Sequence, residues 1–293
     1  MNKPNTFIIG APKCGTTAMA KYLSEHNQVF VSNPKEPHHF NVDLNEGLYK
    51  DKAKYLKLFD RADSHHSRIC EASVWYLYSK EAVQEVLNFN PDSKFIVMLR
   101  NPVEMVYSLH EQMVFSGYET ELDFFQAWNM QTLRKNGVKI PSFCKEPKLL
   151  MYKDACSLGS QYERILKAIP KGRLLTILFD DFKDDPTIVW KNVENFLNIS
   201  HNKRINFPKI NAAKERKSLG VKRINDLYYR YRTALNIPGL GTGIFSFLEK
   251  WNKRERERKA LPNEIKNKLI IEFSSEIEKL ETLLNRDLSA WKE

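Results

Sequence analysis

The chain has 293 residues, of which 28% are charged and 42% are apolar, and it carries a formal net charge of +10. Such a chain is long enough to bury an adequate core, and its composition excludes the low-hydrophobicity, disordered class. The positive charge indicates either a nucleic-acid surface or a site for a small polyanion, and composition alone does not separate the two. We expect one domain that spans the chain.

Strands are predicted where short apolar, β-branched runs end in a loop. Four such runs lie at 6–10, 68–74, 94–100 and 173–180. Each is followed by a helical pattern, and strands that alternate with helices predict an α/β fold around a central parallel sheet. No repeat, low-complexity tract or Pro/Gly-rich linker marks a domain boundary.

Helices are predicted where apolar residues recur with a period of about 3.6 residues. The predicted ranges are 16–26, 80–88, 102–115, 122–135, 159–168 and 186–197. Near the end of the sequence, apolar residues recur at three-and-four spacing, which is typical of a helix packed on a core. They are Ile265, Leu269, Ile270, Phe273, Ile277, Leu280 and Leu284. We expect the tail, about 220–293, to be wholly helical.

The four cysteines form no Cys-x-x-Cys pair and stand at no metal-ligand spacing with histidine. The sequence therefore predicts reduced thiols, with neither a zinc site nor a disulfide framework. No apolar run approaches the roughly 20 residues that span a bilayer. The first strand begins within six residues of Met1, which leaves no room for a signal peptide. We expect a cytoplasmic protein without a membrane anchor.

The loop after the first strand reads GAPKCGTT, from Gly10 to Thr17. Two glycines separated by four residues are typical of a loop whose backbone N–H groups and helix N-terminus surround a phosphate. In an ATP-binding loop of this spacing a lysine follows the second glycine, whereas here Thr16 does, and the lysine stands earlier, at Lys13. The sequence predicts a phosphate-binding loop of a different kind. A tight strand-to-helix turn without a ligand is the structural alternative.

Three further segments follow the loop in order: KEPHHF at 35–40, ICEASVWYL at 69–77 and RNPVEMVYSLH at 100–110. Together with the loop they resemble sulfotransferases that use 3′-phosphoadenosine 5′-phosphosulfate (PAPS), most closely the glycan-sulfating and bacterial branches. The resemblance covers about 7–186. It implies a P-loop NTPase-like, three-layer fold and sulfuryl transfer from PAPS, which leaves 3′,5′-bisphosphoadenosine (PAP).

PAPS carries a phosphosulfate at its 5′ end and a phosphate at its 3′ position, and the resemblance implies one anion site for each. The 3′ site is the segment 100–108, with Arg100 and Ser108 as contacts. In the 5′ site Lys13 is expected to take the charge that develops on the leaving group. Because no lysine follows the second glycine, we expect no metal. The candidates of the 5′ site, in the loop 10–18, are Lys13, Cys14, Gly15, Thr16, Thr17 and Ala18.

A basic stretch at 203–232 stands where related enzymes have a loop that closes over the nucleotide. The resemblance therefore makes Arg216, Lys217 and Ser218 candidate nucleotide contacts. A solvated helix face explains most of these charges equally well.

The polar segment 35–40 is expected to border the acceptor cleft rather than the core, since its charged side chains are costly to bury together. The resemblance makes Lys35, Glu36 and His38 candidates for acceptor binding. An exposed loop with a proline-fixed turn is the structural alternative.

The resemblance also implies a catalytic base, Glu71, which stands at the end of a strand. The side chain of Glu71 should reach the cleft. His38 and His39 are alternatives, because imidazole titrates near neutral pH. In the structural alternative Glu71 forms an ion pair with Lys13 or Lys35.

Two other functions are compatible with parts of the sequence. A P-loop kinase or NTPase would use the same sheet and loop, with Asp180 and Asp181 as its acidic strand end, but Thr16 stands where it needs lysine. A nucleic-acid-binding protein would fit the isoelectric point of 9.2, but no zinc-finger, RNP or helix-turn-helix pattern is present. We expect no nucleic-acid partner. The expected acceptor is a hydroxyl or amine of a glycan or a small-molecule metabolite.

Overall fold

The computed structural model describes residues 2–47, 49–202, 204, 206–208, 214–216, 220, 253–255 and 260–293. Its main sheet has five strands in the order β2-β3-β1-β4-β5, and every neighbouring pair is parallel. This arrangement confirms the predicted α/β class. The strands are β1 Thr6–Gly10, β2 Val29–Val31, β3 Arg68–Ala72, β4 Lys94–Leu99 and β5 Leu174–Leu178.

The first strand, β1, lies at the centre of the sheet. Its residues are all buried, as expected for a parallel strand that is covered on both faces. Phe7 is in register with Glu71 of β3 on one side and with Phe95 of β4 on the other. The strands β2 and β3 thus lie on one side of β1, and β4 and β5 lie on the other. Ligands of open α/β sheets bind in the crevice where the strand order reverses in this way. The loop after β1 begins at this crevice.

Helices follow the strands, and several of their ends have recognisable caps. The side chain of Asn101 accepts a hydrogen bond from the Val103 N–H at the start of one helix, which has proline in its first turn. The helices are α1 Thr16–Ser24, α2 Lys52–Leu56, α3 Ala82–Phe89, α4 Pro102–Ser116, α5 Phe124–Asn129, α6 Gln131–Lys135, α7 Tyr152–Ala155, α8 Leu158–Ala168, α9 Phe179–Asp184, α10 Pro186–Leu197 and α11 Asn263–Leu284, with short 3₁₀ turns at Lys57–Phe59, Pro147–Leu150 and Ser289–Lys292.

The long helix α11 has the bounds that the three-and-four spacing predicts. Its residues Leu269, Phe273, Ile277 and Leu280 are buried, and the helix packs on α8 and α4. The chain after α11 returns to the start of α9, where the Trp291 indole donates to Asp180 at 2.7 Å. No described helix is both long and apolar enough to cross a membrane.

Two predicted elements differ from the structure, and one strand is missing from the prediction. The missing strand, β2, has only three residues, too few to show a two-residue period. The predicted helix 122–135 is two helices, α5 and α6, which meet at Met130. The predicted strand 173–180 ends at Leu178, and Asp180 lies in the first turn of α9.

The tail is not wholly helical, because it contains a strand β7, Lys253–Glu255. This strand pairs antiparallel with β6, Lys214–Arg216, which precedes the tail. Pairing with a strand so far away in sequence is a tertiary interaction that local periodicity does not reveal.

Candidate active site

The loop after β1 presents the N-terminus of α1 to the crevice. Gly15 is the N-cap residue, and the first helical hydrogen bond runs from the Met19 N–H to the Gly15 carbonyl at 3.1 Å. No side chain caps this helix in the described structure. The N–H groups that precede Met19 in the first turn therefore have no partner within the helix, and together they suit an anion.

Gly15 is needed for this geometry. Its φ of 88° lies in the left-handed region, and a Cβ atom there would stand 3.2 Å from the Phe179 ring and 3.3 Å from Met98. Any larger residue would meet both strain and crowding. The loop can thus close tightly over the carboxyl ends of β4 and β5.

The side chains of the loop differ in what they can reach. The Cys14 thiol is fully buried near Met105, and burial raises the pKa of Cys14 to about 12. Thr16 and Ala18 are also buried, while Thr17 is partly exposed. The predicted contacts at Cys14 and Ala18 are therefore possible only through their backbone, and a hydroxyl contact is most accessible at Thr17.

Lys13 lies between the loop and α4. Its Nζ donates to Gln112 Oε1 at 3.3 Å, and its backbone has a left-handed φ of 66°. Gln112 follows Ser108 by one turn of α4. The ammonium group is thus placed at the crevice, beside the N-terminus of α1.

Arg100 lies directly against the loop. Its Nη1 donates to the Lys13 carbonyl at 3.3 Å, and its guanidinium stacks 4.7 Å above the centre of the Phe179 ring. Its Nε and Nη2 also donate to Glu104 Oε2, at 3.0 and 2.5 Å. Arg100 therefore forms an ion pair with Glu104, and the same guanidinium also contacts the predicted phosphate loop.

Ser108 is more deeply buried than Arg100. Its side chain lies on α4 at 1% exposure, whereas that of Arg100 is 12% exposed. The structure thus brings Arg100 and Lys13 together and leaves Ser108 inside the protein.

Glu71 is fully buried, which contradicts the expectation that its side chain reaches the cleft. Its Oε2 accepts hydrogen bonds from the hydroxyls of Tyr55 and Tyr76, each at 2.9 Å. Burial raises the pKa of Glu71 despite these hydrogen bonds and one with Ser73. In the structural alternative Glu71 pairs with Lys13 or Lys35, but the described ion pair of Lys35 is with Glu36. The tyrosine hydroxyls hold Oε2, while Oε1 is buried without a hydrogen-bond partner among the described residues.

The segment 35–40 is fixed to the end of β3 by its backbone. The Glu36 N–H donates to the Ala72 carbonyl at 2.9 Å, and the His38 N–H donates to Ser73 Oγ at 3.1 Å. Phe40 and the His38 side chain are buried, so the segment is partly core, contrary to the prediction. Hydrogen bonds to β3 and its loop make this burial tolerable.

Glu36 is the accessible carboxylate of this segment, with 37% of its side chain exposed. Its Oε2 lies 3.6 Å from His38 Nε2, and its Oε1 contacts Lys35. Burial alone would favour the neutral acid, but the hydrogen bond with His38 and the charge of Lys35 lower the pKa of Glu36 to about 2. Glu36 is therefore ionised at neutral pH.

His39 is occupied on both sides of its ring. It stacks on Tyr55 with ring centres 4.1 Å apart, and its Nδ1 lies 2.6 Å from the Tyr49 carbonyl. Burial lowers the pKa of His39. These contacts make it a packing residue in this structure.

Sequence reasoning missed Tyr55, Tyr76 and Gln112. The hydroxyl of Tyr76 accepts from the N–H groups of His39 and Phe40 and donates to Glu71, so it joins two predicted segments. Tyr76 lies within ICEASVWYL, but aromatic residues there are equally typical of a core. No sequence signal marks Gln112.

The last candidates lie in the basic stretch. The strand β6, which contains Arg216, packs beside α4. Lys217 and Ser218 lie outside the described residues.

Across the ranges that the structure describes, no group of three or more His, Cys, Asp or Glu side chains could hold a metal ion. The two aspartates that a kinase would use are bound to the end of the chain. Asp180 accepts from Trp291, and Asp181 pairs with both terminal nitrogens of Arg286.

Comparison with known proteins follows this geometry. A family model described as the sulfotransferase domain matches residues 3–226. Carbohydrate sulfotransferase 15 of Rattus norvegicus is 32% identical over an alignment of 165 residues that covers 42% of this chain and 29% of that protein. The bifunctional heparan sulfate N-deacetylase/N-sulfotransferase 4 of Mus musculus is 26% identical over an alignment of 205 residues that covers 67% of this chain and 22% of that protein. The chain thus spans less than a third of the length of these relatives.

A solved sulfotransferase from Alicyclobacillus acidocaldarius aligns over the whole of both chains, with a TM-score of 0.74 and 24% identity. The sulfotransferase domain from the curacin biosynthetic pathway aligns over 98% of this chain with a TM-score of 0.51 and 16% identity. These likenesses confirm the predicted fold class.

Proposed function

The chain belongs to the sulfotransferase family, and from this premise we propose that it transfers a sulfuryl group from PAPS to a hydroxyl or amine of a glycan or small-molecule acceptor. In the reaction the bond from sulfur to the 5′-phosphate oxygen breaks and a bond from sulfur to the acceptor forms. The 5′-phosphate keeps the electron pair, and the acceptor loses a proton. The products are the sulfated acceptor and PAP.

One observation carries the choice of donor. The uncapped N-terminus of α1, Lys13 and the guanidinium of Arg100 converge on one end of the crevice. PAPS has anionic groups at two positions, and this arrangement offers Lys13 beside the backbone donors of α1 for one and the Arg100 guanidinium for the other. In the proposed complex, Lys13 and the first turn of α1 stabilise the charge that grows on the 5′-phosphate.

Arg100 would bind the 3′-phosphate by exchanging its partner. The Glu104 side chain is 57% exposed, whereas that of Arg100 is 12% exposed, so the carboxylate is the partner that can turn into solvent. A phosphate can then replace the carboxylate on the guanidinium, because its oxygens match the same fork of N–H groups.

For the base, we revise the preference that the sequence suggested. Glu71 is fully buried with one oxygen held by Tyr55 and Tyr76, whereas Glu36 is ionised and 37% exposed. We therefore assign proton acceptance to Glu36. Glu71 acts through Tyr76, whose hydroxyl also holds the backbone of the segment that carries Glu36.

The relatives support a carbohydrate acceptor. Their names describe a carbohydrate sulfotransferase and a heparan sulfate N-sulfotransferase. A glycan hydroxyl or amine is accordingly the first acceptor class to test.

The donor is tested by nucleotide protection. PAP should raise the Tm by several degrees and should do so equally in the presence of EDTA, while Mg-ATP should leave the Tm unchanged. A large shift with Mg-ATP and none with PAP would instead indicate a kinase or NTPase. If the protein bound DNA with an affinity that falls as salt is added, and PAP did not shift the Tm, the protein would instead be a nucleic-acid-binding protein.

A further inference from the structure

Glu46 is a partly buried carboxyl group without a predicted role. The Tyr118 hydroxyl donates to it, and its Oε1 is buried without a hydrogen-bond partner among the described residues. Burial raises the pKa of Glu46. A buried polar atom without a partner is costly, so such an atom beside a reactive site is explained if a ligand supplies the missing hydrogen bond.

The backbone fixes Glu46 against the segment that carries Glu36. Gly47, which follows it, has a φ of 101°, and a Cβ atom there would stand only 2.6 Å from the His38 carbonyl. On the other side, the Asn45 N–H donates to Glu146 Oε2 at 2.6 Å. Glu46 therefore cannot swing away from His38 without disturbing both contacts.

A second unpartnered group lies next to Glu46. The His38 side chain is 7% exposed, and its Nδ1 has no hydrogen-bond partner in the part of the chain described. Its Nε2 faces Glu36. The two groups thus form one polar patch that continues from the proposed base.

The patch adjoins the proposed base, because Gly47 packs against His38 and His38 Nε2 lies 3.6 Å from Glu36 Oε2. Lys13 contacts Gln112 on α4, and Tyr118, the partner of Glu46, follows the C-cap of the same helix, Gly117. The Lys13 contact and the Glu46 contact thus belong to the same end of α4. Glu46 is therefore suitably placed for the part of the acceptor that is not transferred.

We infer that Glu46 binds the acceptor by accepting a hydrogen bond from one of its hydroxyl groups, and that the acceptor is an uncharged sugar rather than an acidic one. The inference rests on the proposed sulfotransferase function.

The charges around the patch are the reason why we expect an uncharged sugar. Glu36, Glu46 and Glu146 all lie on this side of the crevice, and Glu146 adds repulsion to Glu46. The nearby Lys35 is engaged with Glu36, and the charges that oppose the effect of burial on Glu46 come from His38 and Lys145. A carboxylate or sulfate on the acceptor would meet like charge in a partly buried place, where repulsion is strong.

The test compares three p-nitrophenyl glycosides as acceptors of the radiolabelled sulfuryl group from PAPS: the β-glucoside, the β-xyloside and the β-glucuronide. The xyloside and the glucuronide differ at C5, where the latter bears a carboxylate. The kcat/KM for at least one neutral glycoside should exceed that for the glucuronide by roughly tenfold or more. Glu46→Gln should raise the KM for the neutral glycoside about tenfold, which is the factor that corresponds to a hydrogen bond to a charged group. The same variant should reduce the ratio of kcat/KM between the neutral glycoside and the glucuronide.

Two further variants serve as controls. Tyr118→Phe removes the hydroxyl that orients Glu46 and should raise the same KM by a smaller factor. Glu81→Gln removes an equal charge from an exposed position and should change nothing. The shift of the Tm by PAP should be the same in all four proteins.

The inference fails if the glucuronide is the better acceptor, if Glu46→Gln leaves the acceptor KM unchanged, or if PAP binds but no glycoside is sulfated. If PAP does not bind the wild type, the proposed function fails instead.

Discussion

At the scale of residues, Glu36 and Glu71 show how burial changes the meaning of a sequence motif. Both are glutamates next to the end of β3, but Glu36 is ionised by His38 and Lys35, whereas burial holds the pKa of Glu71 above its usual range. Tyr76 connects them by hydrogen bonds through the backbone at 39–40. The two carboxyl groups therefore lead to different predictions.

Glu36→Gln should lower kcat about 10²-fold or more and leave PAP affinity nearly unchanged, because it removes only the proton acceptor. Glu71→Gln should lower kcat less, because its effect passes through Tyr76. The wild-type pH profile separates the two carboxyl groups further. A base with a pKa of about 2 stays ionised from about pH 7 to about pH 5, so kcat/KM should be flat there. A loss of activity across that range, together with a collapse of kcat in Glu71→Gln alone, would return the role of base to Glu71.

Lys13→Ala should reduce kcat roughly 10²- to 10³-fold, since it removes a cation aimed at the developing charge. Lys21→Ala is the matched control, because Lys21 lies on α1 with 56% of its side chain exposed. Single-turnover transfer to the acceptor measures the chemical step in both. Near-normal turnover in Lys13→Ala would contradict the role assigned to this residue.

At the scale of elements, the junction of β4 and α4 combines an ion pair with a nucleotide contact. Arg100→Ala should weaken PAP binding strongly and reduce discrimination between PAPS and adenosine 5′-phosphosulfate, which lacks the 3′-phosphate. Glu104→Ala removes the competing carboxylate, so it should leave PAP binding equal or tighter. Calorimetry with PAP measures both. Weaker binding in Glu104→Ala would mean that the carboxylate orients Arg100 and does not compete with phosphate.

The helix α11 is the element that most depends on tertiary packing. Phe273 is fully buried and lies edge-on to Trp128, with ring centres 5.9 Å apart. Phe273→Ala should lower the free energy of unfolding by about 3–5 kcal/mol through the cavity it leaves. Ile271→Ala, in the same helix at a position that is 73% exposed, should change it by less than about 0.5 kcal/mol. Urea denaturation distinguishes the two, and equal losses would contradict the packing of α11.

At the scale of the whole molecule, the sequence predicts what local patterns determine. β1 and α11 have the predicted bounds because β1 is an apolar run that ends in Gly10 and α11 carries an apolar stripe along its 22 residues. The four ordered segments were also enough to predict the family. The burial of Glu71 and His38 could not be predicted, because it depends on partners such as Tyr55 that are distant in sequence. The individual roles of the site residues stay predictions.

The end of the chain gives this protein a built-in optical probe. The Trp291 indole donates to Asp180, which follows Phe179 in the sequence. The backbone carbonyl of Trp291 accepts from the side chain of Asn101, which follows Arg100. Phe179 in turn lies beneath the Arg100 guanidinium and against Gly15. Occupation of the nucleotide site should therefore alter the emission of this indole, and the difference spectrum between the wild type and Trp291→Phe isolates it from the other tryptophans. Donor binding can thus be followed in real time by stopped-flow fluorescence, without a label and before any acceptor has been identified.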